Sequence, residues 1–540
     1  MKKIVYTLIL LITLSACQPA AVSPVQPASQ PDKPANVTST PTPFQPATAT
    51  ATVPAETVWI DPASPGVLRA AVLENDVTLV DDPALAASRL SVGDGDIQWV
   101  YALVAPFPTV RDDVSVNELR AAWSGTYSES FNGSPLFMAE STQKAISAIW
   151  GDAAPGSVVT VDEDSITDAL WMNRPSWGIV PFESLNPRLK VLTIDGQSPI
   201  FRDFDLFTYP LTISFSLEPV NMGLPITNRD PLKLTTLMMT GVTALVRATA
   251  VKMEKKGVLY PAQDIGDLLR DADITHISNE IPFAENCPYP NASQVELRFC
   301  SDMKYIELLD FIDADIIELT GNHFQDYGSQ ATLDTITMYN ERGWPYYGGG
   351  VDLADSEKPA FIEHNGNRFA FIGCNPVGPE FAWAREDRPG AAPCIGYNFD
   401  WLIDEVARLK SEGYIVIATF QYYEYYESEP TPKHIEDFRS IAEAGATIVS
   451  GSQAHFPQAM GFYDDSSFIH YGLGNLFFDQ MDIPGWGTRR EFIDRHVFYD
   501  GKHISTELFS AMLEDFARPR MMTAGERQTF LETLFAASGW

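Results

Sequence analysis

The feature that most constrains the fold is a regular alternation of short apolar runs with amphipathic stretches between residues 232 and 505. The runs at 274–277, 316–319 and 447–450 are typical of buried strands. The stretches at 401–410 and 434–444 carry the apolar spacing of helices. Strands that alternate with helices predict a layered α/β fold whose functional loops lie at the strand ends.

A smaller α/β region precedes this one. Residues 57–225 contain strand-like runs and helix-like stretches of their own, and Ser115 followed by Glu118 predicts a capping box at the start of a helix. A connection rich in Pro, Gly and Asn at 221–230 separates it from residues 230–540. A chain of 540 residues with 45% apolar composition has enough material for two or three domains.

The N-terminus predicts the compartment. A basic start, an apolar stretch too short to span a bilayer and small residues before Cys17 resemble a bacterial lipoprotein signal at 1–17. The alternative is an ordinary secretory signal with an incidental cysteine. Residues 18–56 consist almost entirely of Pro, Ala, Thr, Ser and Val, which predicts an extended tether. We therefore expect an extracytoplasmic lipoprotein, anchored to the membrane through Cys17 at the bacterial cell surface or in the periplasm.

Charge and missing motifs exclude several functions. The formal net charge is −34 with a pI near 4.5, and no compact Lys/Arg cluster offsets it, so we expect no nucleic-acid partner. The sequence lacks a serine-hydrolase elbow, a Walker loop and a dinucleotide fingerprint. We therefore expect no nucleotide cofactor.

Four cysteines remain beyond the signal. In an oxidising compartment they permit three pairings, and the shortest loops favour Cys287 with Cys300 and Cys374 with Cys394. A zinc site is the alternative, but the paired C-x-x-C spacing of such sites is missing.

Polar residues follow several predicted strands at the point where each strand ends. Because such ends meet at one edge of a sheet, these groups predict a metal or phosphate site there. The alternative for any single one of them is a helix cap or a core histidine. In chain order they are Glu280, Asn322, His323, Asp326, Gln453 and His455.

Five motifs stand at or near these strand ends: Glu280-x-Pro282, Asn322-His323 with Asp326-Tyr327-Gly328, Tyr347-Gly348-Gly349-Gly350, His455 with Gln458, and Tyr471-x-Leu473-Gly474-Asn475-x-x-Phe478-Asp479. Together these motifs resemble the CapA-type capsule and poly-γ-glutamate synthesis proteins, over about half the chain. The resemblance implies a calcineurin-like metallophosphatase fold, a four-layer αββα sandwich, for residues 230–540. The N-terminal α/β region looks like a reduced periplasmic substrate-binding-protein lobe; its alternative is a structural spacer.

The sequence departs from the family at the metal ligands. Val242 stands where the family has a metal-binding Asp, Gln453 replaces one histidine of a His-x-His pair, and the histidine expected near Gln421 is missing. The resemblance then implies a reduced metal site that holds one divalent ion or none. Its ligands would come from Glu280, Asn322, His323, Gln453 and His455. The catalytic residues would be His323, His455 and Asp326, with Asp326 as a hydrogen-bond partner of an imidazole.

Three functional hypotheses follow from the resemblance. The first is a CapA-like surface lipoprotein that acts in capsule or poly-γ-glutamate synthesis, export or anchoring. The second is an active metal-dependent hydrolase or transferase acting on cell-surface polymer. The third is a catalytically silent module that binds an anionic surface polymer or its synthesis machinery. Separately, the Tyr- and Glu-rich run at 422–427 is typical of sugar-binding clefts, although a half-buried strand is the alternative.

The lipoprotein hypothesis predicts that Cys17→Ala moves the protein from the membrane to the soluble extracytoplasmic fraction, because the acylated residue is lost. Cell fractionation with immunoblotting measures this. Full retention of Cys17→Ala in the membrane fraction would contradict the lipid anchor.

Overall fold

The structure of the protein, a computed structural model, describes residues 56–220, 222–485 and 487–540. The predicted signal at 1–17 and the predicted tether at 18–56 lie outside these residues, except for Glu56. Residues 55–540 group into one compact unit. In the part of the chain that the structure describes, no helix has the length and apolar character needed to cross a membrane.

The N-terminal region is a mixed sheet with helices. Its strands are β1 (Glu56–Ile60), β2 (Val77–Leu79), β3 (Ser88–Pro106), β4 (Asp113–Val114), β5 (Leu136–Met138), β6 (Val158–Thr160), β7 (Trp177–Pro181), β8 (Leu189–Val191), β9 (Thr193–Ile194) and β10 (Thr212–Glu218). Its helices are α1 (Gly66–Leu73), α2 (Val116–Trp123), α3 (Glu140–Trp150) and α4 (Ile166–Met172).

The long strand β3 organises this region. The sheet has the order β2-β1-β3-β7-β5-β6, and β8 and β10 also pair with β3. Trp99 and Tyr101 of β3 are buried in the same apolar cluster as Phe131 and Phe215. At the start of α2 the backbone N–H of Ser115 donates to Glu118 Oε2 at 2.9 Å, and the backbone N–H of Glu118 donates to Ser115 Oγ at 3.2 Å. The predicted capping box and the α/β character of the region are confirmed.

The second region has more strands and the longer helices. Its strands are β11 (Leu234–Thr240), β12 (Val242–Thr243), β13 (Ile274–Asn279), β14 (Phe283–Ala284), β15 (Ser301–Asp302), β16 (Ile316–Glu318), β17 (Tyr346–Tyr347), β18 (Gly349–Gly350), β19 (Ala360–His364), β20 (Asn367–Cys374), β21 (Gly390–Ala391), β22 (Ile415–Phe420), β23 (Ile448–Ser450), β24 (Met460–Phe462), β25 (Phe468–His470), β26 (Asn475–Phe477), β27 (Arg490–Tyr499), β28 (Lys502–Glu514) and β29 (Arg518–Met521). Its helices are α5 (Arg247–Lys256), α6 (Gly266–Arg270), α7 (Ile306–Phe311), α8 (Gly328–Arg342), α9 (Leu353–Ser356), α10 (Asp400–Ser411), α11 (Pro432–Glu443) and α12 (Ala524–Ala537).

Two large sheets form the centre of this region. The first has the order β17-β16-β13-β11-β27-β28-β29, with β12 between β13 and β26. The second has the order β19-β20-β22-β23-β25-β24. Strands β11, β13 and β16 run parallel to one another, as do β20, β22, β23 and β25. The carboxyl ends of the parallel strands therefore lie at a common edge in each sheet.

The apolar side chains divide this region into layers. One cluster fills the space between the sheets and includes Ile316 from the first sheet and Phe369 from the second. A second cluster packs α5 to α8 on the outer face of the first sheet, for example through Leu309. A third packs α10 and α11 on the outer face of the second sheet, for example through Val406 and Phe438. Helix, sheet, sheet and helix give the four-layer αββα sandwich that the resemblance implies, and this prediction is confirmed.

Helix α12 joins the two regions. It begins at a capping box of Thr523 and Glu526 and buries its apolar face between the sheets. Phe107, which directly follows β3, packs into the same cluster. Its ring lies edge-on to Phe462 at 5.4 Å and to Trp540 at 5.6 Å between centroids. The end of the N-terminal sheet is therefore part of the core of the second region.

We expect Phe107→Ala to lower the free energy of unfolding by about 3–5 kcal/mol, because it leaves a cavity in this aromatic cluster. Denaturant unfolding followed by tryptophan fluorescence measures the change. Phe207→Ala is the matched control, since Phe207 is 85% exposed and its removal should have little effect. A loss below about 1 kcal/mol for Phe107→Ala would contradict the contact.

Candidate functional site

The carboxyl ends of the two sheets meet through side chains. Gln453, after β23, donates from Nε2 to Ser278 Oγ of β13 at 2.6 Å. Ser452 donates from Oγ to Glu318 at the end of β16. Because β23 belongs to one sheet and β13 and β16 to the other, these bonds join the strand ends into one site. The predicted convergence of the loops is present.

A glycine allows the closest of these approaches. A Cβ atom at Gly321 would lie 2.5 Å from the carbonyl oxygen of Glu280 and 2.7 Å from its Cα atom, which no side chain tolerates. Gly321 thus lets the loop that carries Asn322 and His323 lie against the loop that carries Glu280.

The centre of the site is the contact between Glu280 and His455, both of them buried. His455 Nε2 lies 3.4 Å from Glu280 Oε1 and 3.5 Å from Glu424 Oε1. Burial alone would lower the pKa of His455, but the Glu280 and Glu424 carboxylates outweigh it and raise this pKa to about 9. Burial would likewise raise the pKa of Glu280, but His455, His323 and Arg247 hold it below its usual value. The two residues form an ion pair.

A hydrogen bond sets the orientation of the His455 ring. Asn475 uses its Nδ2 to donate to the carbonyl oxygens of His455 and Thr488, at 3.4 and 3.1 Å, so its Oδ1 must accept. His455 Nδ1 lies 2.8 Å from this Oδ1 and therefore carries a proton. The nitrogen that faces the site is Nε2.

The second imidazole has its own carboxylate. His323 Nδ1 lies 2.7 Å from Asp326 Oδ2, so Asp326 is a hydrogen-bond partner of an imidazole, as the resemblance implies. Burial lowers the pKa of His323, but the Asp326 hydrogen bond and the nearby Glu280 charge raise it overall. Asp326 also accepts from the backbone N–H of Phe299 at 2.7 Å, and the Phe299 ring lies 4.7 Å from the His323 ring.

Val242 lies in an apolar cluster rather than a polar one. In strand β12 it pairs with Ser278 on one side and with Asn475 on the other. Ser278 is the hydrogen-bond partner of Gln453, and Asn475 is that of His455. Its side chain is fully buried, and it packs in a cluster that also contains Ala244, Val246, Ile281, Phe299 and Phe478. The position where the resemblance implies a carboxylate is thus part of a small hydrophobic core.

The residues present do not fit a two-metal centre. Among the residues that the structure describes, no three His, Cys, Asp or Glu side chains are grouped so that they could hold a metal ion. Gln453 and Gln421, at positions where the resemblance implies imidazoles, supply neutral amides, and both are buried. Glu280 and His455, the strongest remaining ligands, bind each other. No chemical step through a metal pair follows from this arrangement.

Sequence reasoning missed Arg247 and the role of Asp479. Arg247 Nε donates to Asp479 Oδ1 at 3.1 Å, and the N–H of Ala248 donates to Asp479 Oδ2 at 2.9 Å. The guanidinium lies over the rings of Phe299 and Phe478, at 5.1 and 4.9 Å. Arg247 has a φ of 48°, a left-handed conformation that non-glycine residues rarely adopt. Asp479 is part of the last motif, which was the only sequence signal for this contact.

Two disulfide loops border the site. The predicted pairs Cys287–Cys300 and Cys374–Cys394 both form, each with 5.8 Å between Cα atoms. The segment after β16 contacts both loops: Asp326 binds Phe299 in the first, and Gln325 Nε2 donates to the carbonyl oxygen of Pro389 in the second.

The Tyr- and Glu-rich run at 422–427 lies in a loop. Strand β22 ends at Phe420, before this run begins, so the alternative of a half-buried strand is wrong.

Restoring two ligands should create a metal site. We expect Val242→Asp with Gln453→His to bind Zn²⁺ more tightly than the native protein, because the new groups lie beside Ser278 and Asn475, next to Glu280 and His455. In the presence of a chelator, the thermal unfolding midpoint of the double variant should lie below that of the native protein, since a carboxylate is then buried among apolar groups. Added Zn²⁺ should raise this midpoint again. Calorimetry and thermal melts measure both effects. The single substitutions are the controls, and the absence of any metal response in the double variant would contradict the placement of Val242.

The comparisons with known proteins agree with the motifs. Residues 236–480 match the model of the family described as "Bacterial capsule synthesis protein PGA_cap". The chain is 25% identical over 273 residues to the capsule biosynthesis protein CapA of Bacillus anthracis, covering 49% of this chain and 64% of that protein. It is 26% identical over 239 residues to the PGA biosynthesis protein CapA of Bacillus subtilis (strain 168), covering 44% and 60%. The resemblance to CapA-type proteins is confirmed for this part of the chain, which spans less than two thirds of either relative.

Among solved structures, a novel phosphatase from Mycoplasma pneumoniae is similar at a TM-score of 0.34 and 12% identity, covering 52% of this chain and 94% of that one. A TM-score this low adds nothing to the fold described above.

Proposed function

We propose that the protein takes part in capsule synthesis on the outer side of the membrane, because residues 236–480 match the model of the family described as "Bacterial capsule synthesis protein PGA_cap". In this proposal Cys17 carries the lipid anchor, and the strand-end site binds the capsular polymer or its assembly machinery without two-metal hydrolysis. The two disulfides suit an oxidising, extracytoplasmic compartment. The names of the Bacillus relatives connect this domain type with capsule and PGA biosynthesis.

The observation that carries the proposal is the ion pair of Glu280 and His455 beside the apolar cluster around Val242. A two-metal hydrolase needs several charged or imidazole ligands that point at the ions. Here the remaining ligands neutralise each other, and the lost ones are replaced by Val and Gln. Binding through hydrogen bonds is the chemistry that this site retains.

Metal content and turnover test the proposal. The purified full chain should contain at most one divalent ion by elemental analysis, and its hydrolysis of p-nitrophenyl phosphate with Mn²⁺ should stay near background. His323→Ala or His455→Ala should weaken whatever metal binding exists. Cells that lack the protein should retain less capsular polymer, and the native gene should restore it. Two tightly bound ions per chain with metal-dependent turnover would contradict the proposal and support a hydrolase.

A further inference from the structure

We propose that a cavity in the N-terminal region binds a neutral saccharide, with Tyr127 as the ring on which the sugar packs and Ser128 as a hydroxyl partner. This N-terminal cavity has a volume of about 310 Å³. Its walls include Pro135, directly before β5, and Ser157, directly before β6. It therefore lies at the amino ends of these strands, in a different region from the strand-end site, and the inference goes beyond the proposed function.

Three loops form the N-terminal cavity, and hydrogen bonds hold them to one another. The loop after α2 is tied to the loop before β6, since the N–H of Ala154 donates to the carbonyl oxygen of Trp123 at 3.1 Å. Ser157 Oγ donates to the same oxygen at 2.8 Å. The loop before β5 is tied in turn, because the N–H of Leu136 donates to the carbonyl oxygen of Ser157 at 2.9 Å. The cavity thus exists before a ligand binds, which reduces the cost of ordering it on binding.

The lining of the cavity selects a neutral ligand. Among the residues that the structure describes, those that line it carry no charged side chain, although the whole chain has a formal charge of −34. A charged ligand would lose its hydration there without gaining an opposite charge. The polar side chains in the lining are all hydroxyls, from Thr126, Tyr127, Ser128, Ser134 and Ser157.

Two of these hydroxyls have complementary requirements. Ser128 is 6% exposed, and within the described residues its Oγ has no hydrogen-bond partner. Leaving a buried hydroxyl without a partner costs stability, so a ligand that binds Ser128 Oγ recovers this cost. Ser157 already uses its only proton on the carbonyl oxygen of Trp123, so it can only accept from a ligand. Neighbouring hydroxyls of a sugar ring can accept from one serine and donate to the other.

An aromatic ring favours a sugar among neutral ligands. Tyr127 lines the cavity and is 70% exposed. A Cβ atom at Gly133 would lie 3.5 Å from Tyr127 Cδ2, so the ring packs beside the backbone of Gly133. Phe131, which is fully buried, adds an apolar surface to the lining. A sugar ring has a C–H face that packs on an aromatic ring and hydroxyls that bind the polar groups around it.

Calorimetry with the full chain and trisaccharides of glucose, galactose or N-acetylglucosamine tests this inference. We expect at least one of them to bind, with one site per chain. Tyr127→Ala should weaken that binding about three- to tenfold through loss of the aromatic contact. Ser128→Ala should weaken it about fivefold through loss of one hydrogen bond. Because the ligand is neutral, its affinity should be the same at about 50 and about 300 mM salt.

Two controls separate binding from structural damage. Tyr289→Ala removes a tyrosine of similar exposure, 72%, from the first disulfide loop, and this variant should bind the sugar as the native protein does. Ser128→Ala should keep the native thermal unfolding midpoint, because Ser128 Oγ has no partner to lose within the described residues. If Ser128→Ala does not fold, Tyr127→Ala tests the same cavity at an exposed position.

Failure to bind any of the three trisaccharides would overturn the inference. Tighter binding of an anionic oligomer or of a short proline-rich peptide would overturn it as well, because the cavity would then select another chemical class. Native affinity in both Tyr127→Ala and Ser128→Ala would place the sugar elsewhere and remove this site. None of these results bears on the strand-end site, whose proposed function is tested by metal content and turnover.

Discussion

The arrangement of the site depends on one buried carboxyl group that holds the two sheets together at their carboxyl ends. Glu318 belongs to the first sheet and accepts a hydrogen bond from Ser452, which follows the central strand of the second. Burial raises the pKa of Glu318 overall, although the surrounding hydroxyls oppose that shift. His276 lies 3.5 Å away, but burial lowers its pKa to about 3, so it brings no positive charge to this group. Hydrogen bonds from Thr320 and Ser452 offset part of the cost of burying Glu318.

The sequence predicts the layers and the loops because both depend on local patterns. Apolar runs mark the central strands, and a polar residue after each run marks the site. The pattern does not predict β27, because charged residues occur at positions that the fold buries. Asp494 in that strand lies 2.5 Å from His470, and Arg495 lies 2.7 Å from Glu507. These pairs form only after distant strands have met.

Local sequence patterns also fail to predict some of the contacts within the site. Glu280, His323 and His455 stand out because ionisable residues after buried strands are uncommon, whereas Glu318 is hidden at the end of an apolar run and Ser278 has no distinctive neighbour. Arg247 depends on Asp479, 232 residues later in the chain. A family motif can thus be kept while the chemistry around it changes, since loop geometry and ligand identity are separate properties of one sequence.

The two disulfide loops connect the completion of the site with the location of the protein. Both loops contact the short segment of Gln325 and Asp326, and Asp326 also holds His323. Before the disulfides form, only noncovalent contacts would hold each loop against this segment. A chain that folds in a reducing environment would therefore lack a fixed border around the strand-end site, and export to an oxidising compartment would be the step that fixes it.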